Sequence, residues 1–185
     1  MTKSDLRNEI KLILQSHKNE MKNLSDRICD DILSSDFYKN AQIILAYMAL
    51  PDEVNLFNVI CAAQSQQKKV FIPKVQKNSC DMDFYEWNPH LQTITGSFGI
   101  QEPSADNKKF LFSDFPDKNI LILVPGRAFT NEGCRLGRGK GYYDSFFNNS
   151  PINKNCTLAG VCFPFQILPD IPTEPYDFKM HFVIK

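Results

Sequence analysis

Ten consecutive residues, Arg135-Leu136-Gly137-Arg138-Gly139-Lys140-Gly141-Tyr142-Tyr143-Asp144, hold three alternate glycines, three cations, two tyrosines and a carboxylate. Alternate glycines let the backbone take positive φ and approach a ligand closely. Arg138 and Lys140, between them, add cationic side chains to the amide dipoles that such a loop presents. The matching guest is a polyphosphate. Between Pro125 and Gly141 four basic residues (Arg127, Arg135, Arg138, Lys140) face a single acid, Glu132, in a chain whose 21 basic and 21 acidic residues cancel. Asp144 follows the loop directly, which suits Mg²⁺, an ion bound through one or two carboxylates plus phosphate oxygens and water. The bland alternative is a tight surface turn with solvated cations. The loop is not a Walker A sequence, because Gly141 rather than Ser or Thr follows Lys140. Nor is it a dinucleotide fingerprint, since the glycines run G-x-G-x-G instead of G-x-G-x-x-G.

Such a loop needs a scaffold, and 185 residues with an apolar fraction of 43% are enough for one domain with a full core. Thr2 to Asp5 has capping-box form, and Leu6, Ile10, Ile13, Leu14, His17 and Met21 recur at helical spacing, predicting an amphipathic N-terminal helix. Ser25 is read as the cap of a second helix carrying Ile28, Ile32 and Leu33. The run Ile43 to Met48 reads as a buried strand that leads into Pro51-Asp52-Glu53, and a helical pattern follows through Leu56, Phe57, Ile60 and Cys61. A strand over Lys69–Ile72 is expected to stop at Pro73, and Met82 to Trp87 alternates like a half-exposed strand. Gly96 to Pro103 reads as loop. Ile120 to Val124 is the strongest buried strand and delivers the chain through Pro125-Gly126 to the cationic loop, after which Tyr142 to Phe147 starts a helix. Leu158 to Phe163 and the edge segment His181–Ile184 complete the strands. Strands alternating with helices predict an α/β fold, a three-layer sandwich around a mostly parallel sheet in a single domain, 1–185. In such sheets ligands collect where strands finish.

Several classes of function are disfavoured. Zero net charge and the lack of an RNA-binding signature argue against nucleic acid as a partner. No apolar run approaches the ~18 residues that span a bilayer, and the polar start resembles no signal peptide, so a cytoplasmic location is expected. Six cysteines without C-x-x-C spacing are then expected to be reduced thiols. His17, His90 and His181 match no zinc spacing.

The pattern Pro125, Gly126, Phe129, Gly133, Arg135, Leu136, Gly137, Gly139, Gly141, Tyr142, Tyr143, Asp144 resembles the hallmark of the 5-formyltetrahydrofolate cyclo-ligase (methenyltetrahydrofolate synthetase) family. Other features of that family occur in order: Lys3 and Arg7, Tyr47 leading to Asp52-Glu53-Val54, Ile72-Pro73-Lys74, Met82, Phe98 to Pro103, and Gln166, Pro172 and Asp177. The resemblance implies an enzyme that uses ATP and Mg²⁺ to convert 5-formyltetrahydrofolate into 5,10-methenyltetrahydrofolate, releasing ADP and phosphate. It is expected to act as a monomer.

By that resemblance Arg135, Arg138 and Lys140 are catalytic, stabilising charge on a transferring phosphoryl group. The ATP site is expected to comprise Lys3, Arg7, Arg135, Gly137, Arg138, Gly139, Lys140, Gly141, Tyr142 and Tyr143. Met48, Glu53, Phe98, Arg138 and Tyr142 are carried over to the folate site, and Asp144 with Asp177 to the metal. Three positions depart from the family pattern: Thr130 stands where Asp is usual, Ser145 where Arg often follows Tyr-Tyr-Asp, and Tyr176 in place of a frequent His. A binding-only relative is expected to have lost Asp144 or the loop cations, and all are present. An ATP-dependent kinase or ligase for another substrate is the remaining alternative, disfavoured by the folate-side residues.

Overall fold

The computed structural model describes residues 1–76, 79–88, 90–91, 93–95 and 101–185. The chain runs α1 (Lys3–Ser16), α2 (Met21–Ser34), α3 (Asp36–Asn40), β1 (Ile43–Leu45), α4 (Phe57–Ser65), β2 (Lys69–Val75), β3 (Met82–Glu86), β4 (Thr93–Thr95) and β5 (Gln101–Pro103). There follow β6 (Ile120–Pro125), β7 (Ala128–Phe129), β8 (Arg135–Leu136), α5 (Tyr142–Asn148), β9 (Cys156–Val161) and β10 (Phe182–Ile184). A six-stranded sheet has the order β10-β9-β6-β1-β2-β3 and is parallel throughout except for the antiparallel edge strand β3. Strand alternation sends Ile44, Val70, Leu121 and Ala159 into a core shared with α1, α2 and α4. Ile43, Phe71, Ile122 and Leu158 point the other way, into a core with Phe147 of α5. These are the three layers expected from β and α segments that alternate along a chain.

The Thr2–Asp5 capping box forms and starts α1. Ser25, however, is no cap. It lies buried inside α2, where its hydroxyl accepts the Asn55 N–H at 3.2 Å and ties the helix to the segment after β1. Met21 opens α2 instead of continuing α1. The buried run from Ile43 is paired only as far as Leu45, and the residues after it turn toward the site.

Nor does Pro73 stop its strand, since β2 continues to Val75. The ladder explains why: Trp87 donates to the Val70 carbonyl at 2.9 Å and Gln76 to the Asp81 carbonyl at 3.0 Å. Even-numbered residues of β2 therefore bond to β3, and the missing N–H of Pro73 faces the β1 side, where pairing has already ended at Leu45–Phe71. Of the segment expected to be loop, Gln101–Pro103 forms β5 against β4, and residues 96–100 lie outside the described residues.

Candidate active site

From the central strand β1 the chain moves outward through β2 to β3, then returns to the other side of β1 and proceeds through β6 and β9 to β10. The sheet order thus reverses between β1 and β6. Where strand order reverses, the connections leaving the strand ends diverge and open a crevice. Here the crevice is a cleft of about 330 Å³ at the carboxyl ends of β1, β2 and β6, lined by Met48, Glu53, Arg135, Arg138, Lys140, Tyr142 and Asp144 among others.

The glycine-rich loop forms one wall. Its first residues pair as β8 with β7, a two-residue ribbon within the segment read from sequence only as loop. That pairing buries Arg135, whose Nη2 lies 3.7 Å from the Asp144 carboxylate and whose guanidinium sits 5.3 Å from the Tyr143 ring centre. Arg135 Nε and the Tyr143 hydroxyl are buried without a hydrogen-bond partner. Unsatisfied buried donors cost free energy. Burial, helped by Glu53 and opposed by Arg135, pushes the Tyr143 hydroxyl well above its ordinary pKa, so it remains a neutral donor. Gly139 (φ 94°) and Gly141 (φ 73°) take left-handed conformations, and the second turns the chain into α5, whose first turn carries Asp144.

Helix α1 approaches the same loop from the other end of the sequence. Arg7 Nε donates to the Gly137 carbonyl at 2.8 Å. One turn earlier, Lys3 Nζ bonds to Asp177 at 2.6 Å and to Glu174 at 2.8 Å. Burial lowers the Lys3 pKa, but the two carboxylates outweigh it and leave the ammonium above its usual value. Asp177 also accepts the Glu174 N–H at 2.8 Å.

The opposite wall is acidic. After β1, the Tyr47 hydroxyl donates to the Val54 carbonyl at 3.0 Å, and the Leu50 N–H donates to Glu53 Oε2 at 2.9 Å. This closed turn presents Asp52 and Glu53 side by side. Glu53 Oε1 accepts Arg138 Nε at 2.8 Å, and Asp52 bridges the two arginines, Arg138 at both carboxylate oxygens and Arg127 at Oδ2. Burial raises the Asp52 pKa, while the hydrogen bonds and charges of Arg138 and Arg127 outweigh it and hold the carboxyl below its ordinary value. Beneath Arg127 the buried Gln166 donates to the carbonyls of Gly126 and Arg127 at 3.1 and 2.9 Å and accepts the Phe163 N–H at 2.7 Å. It fixes the turn that leaves β6.

The model of the 5-formyltetrahydrofolate cyclo-ligase family matches residues 1–185. The chain belongs to that family, which is one of enzymes. A protein of Schizosaccharomyces pombe named "Probable 5-formyltetrahydrofolate cyclo-ligase" is 30% identical over 190 residues, covering 94% of this chain and 92% of its own. The 5-formyltetrahydrofolate cyclo-ligase of Mus musculus is 30% identical over 83% of this chain and 77% of its own. Among solved structures, the 5,10-methenyltetrahydrofolate synthetase of Aquifex aeolicus superposes with a TM-score of 0.77 at 28% identity, covering 100% of this chain and 89% of that one.

The cyclo-ligase cleft gathers Met48, Glu53, Arg135, Gly137, Arg138, Lys140, Gly141, Tyr142, Tyr143 and Asp144. Arg7 joins through Gly137, and its guanidinium lies beside Gly139. Lys3 and Asp177 meet one another rather than lining the cleft. Phe98 lies outside the described residues. The Thr130 departure leaves the loop closed, because Thr130 Oγ1 accepts the Cys134 N–H at 3.2 Å. Sequence reasoning gave no role to Asp52 or Arg127. Their signal was charge complementarity between segments 75 residues apart, visible only once β1 and β6 are known to be neighbours.

Proposed function

We propose that this chain catalyses the ATP- and Mg²⁺-dependent cyclisation of 5-formyltetrahydrofolate to 5,10-methenyltetrahydrofolate, releasing ADP and phosphate. One observation carries the reading: a single cleft is lined by two sets of groups, apolar Met48, Met82 and Tyr142 with the Glu53 carboxylate, and the glycine-rich loop with Arg135 and Lys140. The first set suits a flat pterin whose amino and ring N–H groups need an acceptor. The second suits a polyphosphate, and the orphaned Arg135 Nε there is a donor in want of an acceptor.

The formyl group on N5 is amide-like and a poor electrophile. Its oxygen takes the γ-phosphoryl of ATP as ADP leaves, N10 attacks the activated carbon, and loss of phosphate with the former formyl oxygen gives the methenyl bridge. Arg135 and Lys140 hold the phosphoryl oxygens, Arg138 is engaged by Asp52 and Glu53 on the folate side, and the walls bring N10 within reach of the carbon. Mg²⁺, when bound, neutralises phosphate charge. Asp144 fits it as a hard oxygen donor within the cleft. Asp144 is the carboxylate that would hold the ion beside a bound phosphate, while Asp177 is paired with Lys3.

Six unpaired cysteines support a cytosolic enzyme, and among the described residues no helix is long and apolar enough to cross a membrane. The deciding experiment follows methenyltetrahydrofolate absorbance from 5-formyltetrahydrofolate at slightly acidic pH. A rise that requires both ATP and Mg²⁺ is expected. No rise from folded protein that binds ATP overturns the reading.

A further inference from the structure

Asp52 stands where the sheet changes direction. It leaves the end of β1 and meets Arg127, which leaves the end of the neighbouring strand β6, and Arg138 of the glycine-rich loop. Oδ1 accepts Arg138 Nη2, and Oδ2 accepts Arg127 Nη1 together with a longer bond from Arg138 Nη1 at 3.5 Å. Arg138 passes the constraint on, because its Nε donates to Glu53 Oε1 at 2.8 Å while the Leu50 N–H takes Oε2 at 2.9 Å. Glu53 is thus oriented at both oxygens, and its side chain is only 7% exposed. Each of those oxygens keeps a second lone pair for a ligand.

We propose that Asp52 is a positioning residue that acts through Arg138 to fix the Glu53 carboxylate for the folate substrate. The proposal rests on the cyclo-ligase reading of the cleft. Geometry separates it from a phosphate role. Asp52, Glu53, Arg127 and Arg138 are two anions and two cations, so the quartet offers a polyphosphate no net charge, and Arg135 and Lys140 remain the cations for that end. A planar guanidinium held at Nε and Nη2 by two carboxylates has little freedom to turn toward another guest. Removal of the Asp52 carboxylate leaves two guanidinium groups without their shared counter-charge, and Arg138 then has only Glu53 to hold it. Because Asp52 sits in a turn, one-third exposed, its loss leaves the sheet intact.

The test is Asp52→Ala, with Asp52→Glu as the charge-retaining rescue, in the intact chain. In Asp52→Ala the KM for 5-formyltetrahydrofolate should rise about tenfold, equivalent to about 1.4 kcal/mol, with the KM for ATP within twofold of wild type. Asp52→Glu should recover most of the loss. In an Arg138→Ala background the Asp52→Ala effect should largely vanish, because the group it acts through is gone. An unchanged folate KM overturns the proposal, and so does an equal rise for ATP or an effect that adds in full to that of Arg138→Ala.

A second readout needs no turnover. The Arg138 Nη–H resonances, whose protons Asp52 accepts, should be dispersed and slow to exchange in wild type and collapse to the bulk arginine position in Asp52→Ala; persistence overturns the assignment. If wild type does not convert 5-formyltetrahydrofolate at all, the functional reading fails, and the resonances alone decide whether Asp52 positions Arg138.

Discussion

Replacement of Lys140 by alanine should separate chemistry from stability by a wide margin. Lys140 is exposed, at the tip of the loop between two left-handed glycines, and among the described residues it makes no hydrogen bond or ion pair. A surface substitution of that kind changes stability by no more than about 0.5 kcal/mol. In a chain of 185 residues that is a shift in Tm of about 1–2 °C. Transition-state charge is a different matter. Loss of one donor aimed at charge that develops in the reaction costs about 10²–10³ in kcat, or about 2.7–4 kcal/mol. The catalytic loss should therefore exceed the structural one at least fivefold in energy. Initial rates of methenyltetrahydrofolate formation at saturating substrates give the first quantity, and thermal unfolding by circular dichroism gives the second. Lys140→Arg keeps the charge and should retain more activity than the alanine variant. A kcat within threefold of wild type for Lys140→Ala refutes the role, and a fall in Tm beyond about 4 °C refutes the premise that the side chain is structurally idle.

Asp144→Asn should raise the Mg²⁺ concentration for half-maximal rate by about tenfold or more, because a neutral amide is a poor ligand for a hard cation; a superimposable metal titration removes Asp144 from the site. Gly133→Ala should lose about 3 kcal/mol in urea unfolding, since φ is 90° and the added Cβ would lie 2.2 Å from the Met180 carbonyl oxygen. A midpoint equal to wild type contradicts that. Burial pushes the thiols of Cys29 and Cys162 up to about 11 and about 12. At pH 8 an alkylating agent should therefore mark exposed Cys80 promptly and leave those two unmodified until the chain unfolds, as read by peptide mass mapping. Equal labelling of Cys162 and Cys80 would mean that the second core opens readily.

What the sequence made legible was local. The Thr2–Asp5 box, the unbroken apolar run from Ile120 and the start of a helix after Gly141 each depend on a few adjacent residues, and each is found. The misreadings share an opposite cause. Pro73 reads as a terminator until its neighbour strand is known to end first, and Ser25 reads as a cap until Asn55 is found to use its hydroxyl. The site divides in the same way. Loop cations and Asp144 announce themselves by spacing, whereas Asp52 beside Glu53 looks like any acidic first turn before a helix. Its meaning depends on Arg127 and Arg138, which strand order alone brings to it.

The clasp of Lys3 on Asp177 joins residues 174 positions apart, and that of Arg7 on Gly137 joins residues 130 apart. On the ribosome α1 is made before both partners and waits for them while the residues between are synthesised. Contacts this remote in sequence form late, because the loop they close must be ordered before they repay it. A nascent chain can therefore assemble β1, β2 and β6 while its glycine-rich loop still lacks the helix that braces it. A chain truncated between Val161 and Asp177 should keep β1, β2, β6 and β9 but lack β10 and the Lys3 clasp, and activity should appear during synthesis only after Asp177 has left the exit tunnel.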